Sequence, residues 1–174
     1  MKRLYFVLSL IFVVSAALTA CSSGTPTSSW PTPEGSKLDT NYSGAIPSFL
    51  VLALGTIKLD GAVDAITPEQ AQKLLPLWQV LRSSINTGGT DQAEVDALVL
   101  QIEGALTESQ IAAINALKLT QGDMRNWAVT NGVAQGVPSP EMQATQQASA
   151  QSGQIGKSGV ALLEAIVTYL EAKQ

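Results

Sequence analysis

The chain contains no histidine. That removes the commonest general base at neutral pH and the commonest transition-metal ligand. Cysteine occurs once, as Cys21, so the chain cannot staple itself with a disulfide, and zinc or haem would find almost no ligands. Patterns that carry nucleophilic or phosphate chemistry are missing as well. No GxSxG, GxGxxG or complete P-loop occurs. The Gly156-Lys157-Ser158 triplet lacks the upstream glycine of a phosphate loop, because Gln151 stands there. Lys157 and Ser158 are also adjacent, and helix neighbours do not face each other, so a Ser–Lys pair is not formed by them. "DGAVDA" at 60–65 is too sparse in carboxylates for a calcium loop and reads as a polar turn between helices. Acidic residues outnumber basic ones 14 to 10, which gives no basic face for nucleic acid. The expectation is a protein that is not an enzyme and has no cofactor or metal.

What the chain does have begins at residue 1. Lys2 and Arg3 precede a 15-residue apolar run from Leu4 to Leu18, with small residues just before Cys21. A charged start, a short apolar core and a small-residue cut site are the anatomy of a secretory signal, and the run is shorter than the roughly 20 residues a membrane span needs. Leu18-Thr19-Ala20-Cys21 resembles a bacterial lipobox. That resemblance implies cleavage between Ala20 and Cys21 and a covalent diacylglycerol, with further acylation, on Cys21. Each buried CH₂ contributes about 0.8 kcal/mol, so several acyl chains hold a protein at a membrane. Removal of Lys2 and Arg3 would take the net charge from −4 to −6. The localisation expected is the bacterial cell envelope, on the extracytoplasmic side of a membrane.

Composition divides the remainder. Residues 21–44 are rich in Ser, Thr, Pro and Gly, and the expectation is a disordered, lipid-anchored tether with Trp30 isolated and exposed. Residues 45–174 are long enough for one domain with a real core. Apolar residues there recur at helical spacing: Ala71, Leu74, Leu75, Trp78, Leu81 and Ile85; Val95, Leu98, Val99, Ile102 and Leu106; Ile111, Ile114 and Leu117; Val160, Leu163, Ile166, Val167 and Leu170. "NTGGT" at 86–90 reads as a turn with Thr90 capping the next helix, Gly132 as a helix stop, and Pro76 as the site of a kink near Leu75. The apolar segment 46–59 is expected to be a helix, since a lone strand would have no partner. A Gln- and Ser-rich stretch near 136–158 is expected to be a mobile crossover or weak helix. The fold class predicted is all-α, an antiparallel helical bundle of about five helices.

A hexapeptide pattern appears twice, as "ITPEQA" at 66–71 and "LTESQI" at 106–111. Thr67 with Gln70, and Thr107 with Gln110, have the spacing of a capping box, in which each side chain satisfies an orphan N–H at a helix start. Leu106 and Ile111 fit a hydrophobic staple across the second cap, and "LTQGDM" at 119–124 is a weaker third copy with Leu119 and Met124. Capping alone accounts for the pattern. The letters also resemble the LTxxQ signature of Spy/CpxP-like envelope chaperones, small all-α proteins that form cradle-shaped dimers and hold non-native clients. The likeness covers about 65–120, and it implies a mainly architectural role for Thr67, Gln70, Thr107 and Gln110. The body departs from that family in being acidic and lipid-anchored. A further likeness, through "LALGTIKLDG" and "TPEQAQKLLPLWQVL", is to uncharacterised bacterial secreted or surface proteins.

Two functions follow as expectations. One is a membrane-anchored, non-enzymatic surface lipoprotein presenting a helical domain to a protein partner. The other is an LTxxQ-type holdase or stress-sensing modulator, which would bring non-native clients and a homodimer with it.

Overall fold

The computed structural model describes residues 30–87, 91–134 and 155–174. Among them are six helices and no strands: α1 (Ser48–Lys58), α2 (Pro68–Thr87), α3 (Gln92–Ala105), α4 (Glu108–Ala116), α5 (Gln121–Thr130) and α6 (Lys157–Glu171). The protein is all-α. The expected signal, Ala20, Cys21 and the Gln- and Ser-rich stretch, apart from its last few residues, lie outside the described residues.

α1 is the centre. Every residue from Ser48 to Thr56 is buried, so the helix has no polar face to turn to water. A helix that is apolar all round needs neighbours all round, and α6, α4 and α3 pack against it. The stripe expected from Phe49, Leu50, Leu52, Ala53 and Ile57 understates this: Val51 and Leu54 are buried too, and Ile57 is the half-buried one. Pro47 starts the helix without a side-chain cap, its carbonyl accepting from the N–H groups of Leu50 and Val51.

α2 packs on α6 and α3 through Ala71, Leu74, Trp78 and Leu81. It continues through Pro76 as one helix of 20 residues, so the kink expected near Leu75 does not interrupt it. Pro76 and Gln72, whose carbonyl the proline leaves without a donor, are both exposed, and water can take that place. α3 is capped by Asp91, whose carboxylate accepts from Ala93 N–H at 3.1 Å; the cap expected at Thr90 is one residue early. Aspartate, with a carboxylate that favours the positive end of the helix dipole, takes the role.

Two stripe residues turn out to be exposed. Leu117 follows the last turn of α4, where the chain swings away through Lys118 at φ 45°. Val160 is pushed outward because Gly159 holds the inner position, where a Cβ would sit 3.1 Å from Ile155 and 3.6 Å from Leu50. Leu162 replaces Val160 in the core. α5 ends as expected at Gly132: with φ 70° it donates to Val129 O at 3.1 Å, and Val133 N–H reaches Ala128 O at 2.8 Å. That pair of bonds is a Schellman stop.

α1 meets α4 at a glycine. A Cβ on Gly55 would lie 2.7 Å from Ile114 Cγ2, 2.9 Å from Cγ1 and 3.3 Å from Cβ. Gly55→Ala should therefore destabilise the fold by up to a net ~2 kcal/mol, since two contacts under 3 Å put the overpacking near the top of its ~1–3 kcal/mol range, above the ~1 kcal/mol gain in helix propensity. Chemical denaturation of the single variants and of the double variant with Ile114→Ala measures this. The double should be more stable than the two single effects added together, because the clash exists only while both side chains are present.

Candidate functional site

The twin hexapeptides meet. At the start of α2, Gln70 N–H donates to Thr67 Oγ1 at 3.2 Å, and Thr67 N–H donates to Gln70 Oε1 at 3.1 Å. At the start of α4, Gln110 N–H donates to Thr107 Oγ1 at 3.2 Å, and Thr107 N–H to Gln110 Oε1 at 2.9 Å. Both capping boxes form, and Ile66, Ala71, Leu106 and Ile111 around them are buried.

The two glutamine amides then bond each other. Gln70 Nε2 donates to Gln110 Oε1 at 2.8 Å, and Gln110 Nε2 donates to Gln70 Oε1 at 3.0 Å. Each amide also reaches the carbonyl two residues before the other's threonine: Gln70 Nε2 to Ala105 O at 3.3 Å, and Gln110 Nε2 to Ala65 O at 3.4 Å, with Asp64 O at 3.2 Å beside it. The pattern repeats with local two-fold symmetry. It also explains why the motif needs glutamine. A glutamate accepts from its own N-cap N–H equally well, but it has no N–H to give to a partner amide or carbonyl. The third copy has no such partner and uses the acid: Thr120 Oγ1 and N–H bond Asp123 at 2.6 and 2.9 Å, completing a capping box at α5.

Residues 30–44 of the segment expected to be a free tether pack against the bundle. Trp30 is half-buried, edge-on to Phe49 with ring centroids 5.5 Å apart. Leu38 is only 7% exposed and belongs to the core. Glu103, 6% exposed on the inner side of α3, accepts from Ser36 Oγ at 2.5 Å and Lys37 N–H at 2.8 Å. Asn115 brackets the same strand of chain, accepting from Asp39 N–H and donating to Lys37 O, both at 2.9 Å. Lys118 pairs with Asp39 and lies 5.1 Å from the Tyr42 ring centre, while Tyr42 Oη donates to Leu119 O at 2.8 Å. Residues 30–44 are thus a strap, and only 21–29 of the expected tether lie outside the described residues. Two signals could have shown it. Trp30, Leu38 and Tyr42 offered apolar surface in an otherwise polar run, and Glu103 sat beside Ile102 where the α3 stripe asks for an apolar residue.

One open groove, of about 570 Å³, lies where the end of α1 meets α5 and α6. Ile57, Trp127, Val133, Ala161, Ala165 and Tyr169 make it mainly apolar, with Asn131, Glu164 and Thr168 as polar members. Trp78 and Met124 are buried, whereas Trp127 reaches this surface. Glu164 is held by Arg82 at 3.0 Å, and Tyr169 Oη donates to Asp60, which Lys173 also pairs at 2.6 Å. Among the described residues no three Asp, Glu or Cys side chains converge as a metal site would need, and no helix is long and apolar enough to cross a membrane. No protein-family model matches the chain, and no curated protein or solved structure matches it either.

Three aspartates sit below their usual pKa. The hydrogen-bonded Lys118 ammonium lowers Asp39, that of Lys173 lowers Asp60, and the Thr120 hydroxyl and N–H lower Asp123. A folded pKa below the unfolded one means the unfolded chain binds more protons between the two values. Stability from these contacts is therefore complete above the ordinary aspartate pKa and is lost as pH falls through the folded values. Urea midpoints should hold level down to about pH 5 and decline below about pH 4, and Asp123→Asn should reduce that decline.

Gln110→Glu should destabilise by at least ~1–3 kcal/mol at neutral pH, because it buries a charge facing Gln70 Oε1 and two carbonyls. Burial raises the new carboxyl's folded pKa, so the deficit should shrink as pH falls and the acid regains a proton to donate. Thermal melts of wild type and variant from about pH 7 down to about pH 4.5 test this, and a deficit that grows on acidification would contradict the pairing.

Proposed function

We propose that the chain is a lipid-anchored, non-enzymatic envelope lipoprotein that presents its helical domain to a protein partner, with the diacylglycerol on Cys21 as the anchor. The observation that carries the interaction reading is the open apolar groove between α1, α5 and α6, which leaves Trp127 and Tyr169 only partly buried. An aromatic-lined groove of this kind suits aliphatic or aromatic side chains of a partner. The lack of histidine and the single cysteine agree with binding in place of chemistry.

The pairing of Gln70 with Gln110 favours a second reading, kinship with the LTxxQ chaperones. Independent helix caps do not require two copies to meet, whereas an inherited architectural motif does.

A soluble chain starting at Ser22, with the strap retained, separates the two. Photo-crosslinking from Thr168 in the groove, with Leu100 on α3 as the control position, should yield one discrete envelope partner from the groove alone. Ala161→Glu should weaken that complex at least about tenfold, about 1.4 kcal/mol, by placing a charge on the apolar wall. Suppression of aggregation of several unrelated unfolding clients, unchanged by Ala161→Glu, would decide for the holdase.

A further inference from the structure

We infer that the strap is a reach-setting device: its seating on the bundle moves the effective attachment point from Ala45 to Trp30 and keeps the body close to the membrane. The inference rests on the anchored reading of Cys21. A chain spans at most about 3.3–3.6 Å per residue. From Cys21 to Trp30 is nine residues, so whatever path they take the body is held within about 30 Å of its anchor. From Cys21 to Ala45, where α1's approach begins, is 24 residues, which would allow about 80 Å. The strap withdraws more than half of the available length.

The strap is built to stay seated. Its contacts reach three elements: Phe49 on α1, Glu103 on α3 and Asn115 on α4. Glu103 is the decisive one, because a carboxylate 6% exposed is costly without donors, and two of its donors come from Ser36 and Lys37. Burial of Leu38 adds an apolar contact that release would return to water. A body held this way meets partners embedded in or lying against the same membrane, and a soluble partner far from the surface is out of range.

The test uses the lipidated full-length protein in vesicles. Cys21 is the only cysteine and is acylated in this reading, so Ser83→Cys on the exposed side of α2 gives a single site for a donor dye. Energy transfer to headgroup-labelled lipid is measured for three forms: this protein, the same with Glu103→Ala and Asn115→Ala, and the same with 15 Gly/Ser residues inserted between residues 29 and 30. Circular dichroism confirms folding, and protease cleavage within 30–44 reports strap seating. Expected are high transfer in the first form and a fall of about twofold or more in both others, with the strap seated in the insertion form. Equal transfer in all three, with the strap shown to be released in the double variant, overturns the device. If the double variant unfolds, the insertion form alone decides: unchanged transfer overturns the inference. Mass spectrometry reads the anchor separately. An unacylated Cys21 removes the anchored reading and the reach argument with it, whereas an acylated protein with insensitive transfer removes the reach argument alone.

Discussion

The structure depends on covering one helix. α1 presents nine successive buried residues, Ser48 to Thr56, and a helix with no wet side cannot lie on the surface of anything. Its flanks must be closed by other elements: α6 and α4 along its length, α3 more lightly, and Trp30 of the strap at the Phe49 end. Gly55 shows how tight that closure is, because Ile114 occupies the space a side chain would need. Once α1 is central, α2 is left to pack outside it, joining α6 to α3 through Trp78 and its neighbours.

Wrapping one helix in short ones creates many helix ends, and each N-terminus carries orphan N–H groups and a partial positive charge. The starts of α2 and α4 come together, which alone would be unfavourable. Two arrangements relieve it. Glu69 and Glu108 place carboxylates in the first turns, and the Gln70–Gln110 amide pair satisfies both N-caps and the carbonyls before them without adding charge to the buried contact. Charge at that junction would have to be neutralised; amides need only be complementary. A protein with 14% charged residues and no histidine is suited to this solution.

Local chemistry was legible in the residues, and long-range docking was not. The capping boxes at Thr67 and Thr107, the third cap at Thr120 and the backbone stop at Gly132 each join groups no more than five residues apart, where spacing determines geometry. Most stripe positions also held, since burial of Leu74, Leu98 or Ile166 follows from helical period alone. Errors gathered where a neighbour decides. Val160 yields its place to Gly159 because Ile155 and Leu50 lie close, and Leu117 falls beyond the end of its helix. The strap was the largest miss, since its bonds join residues 66 to 79 positions apart and composition reports nothing of such distances. The groove, too, exists only where three elements fail to fill a corner.

The placement of strap and groove along α1 has a consequence for how the two could act together. Trp30 meets α1 at Phe49, and the groove opens at Ile57, eight residues further along. At 1.5 Å per residue those points are about 12 Å apart on the axis. A groove occupant therefore need not displace Trp30, and the strap can stay seated while the groove is filled. In the anchored reading, reach and recognition would be set by separate contacts on one helical bundle. Changing Glu103 should alter where the body can go, and changing Ala161 should alter what it can hold, with little coupling between them beyond the stability they share.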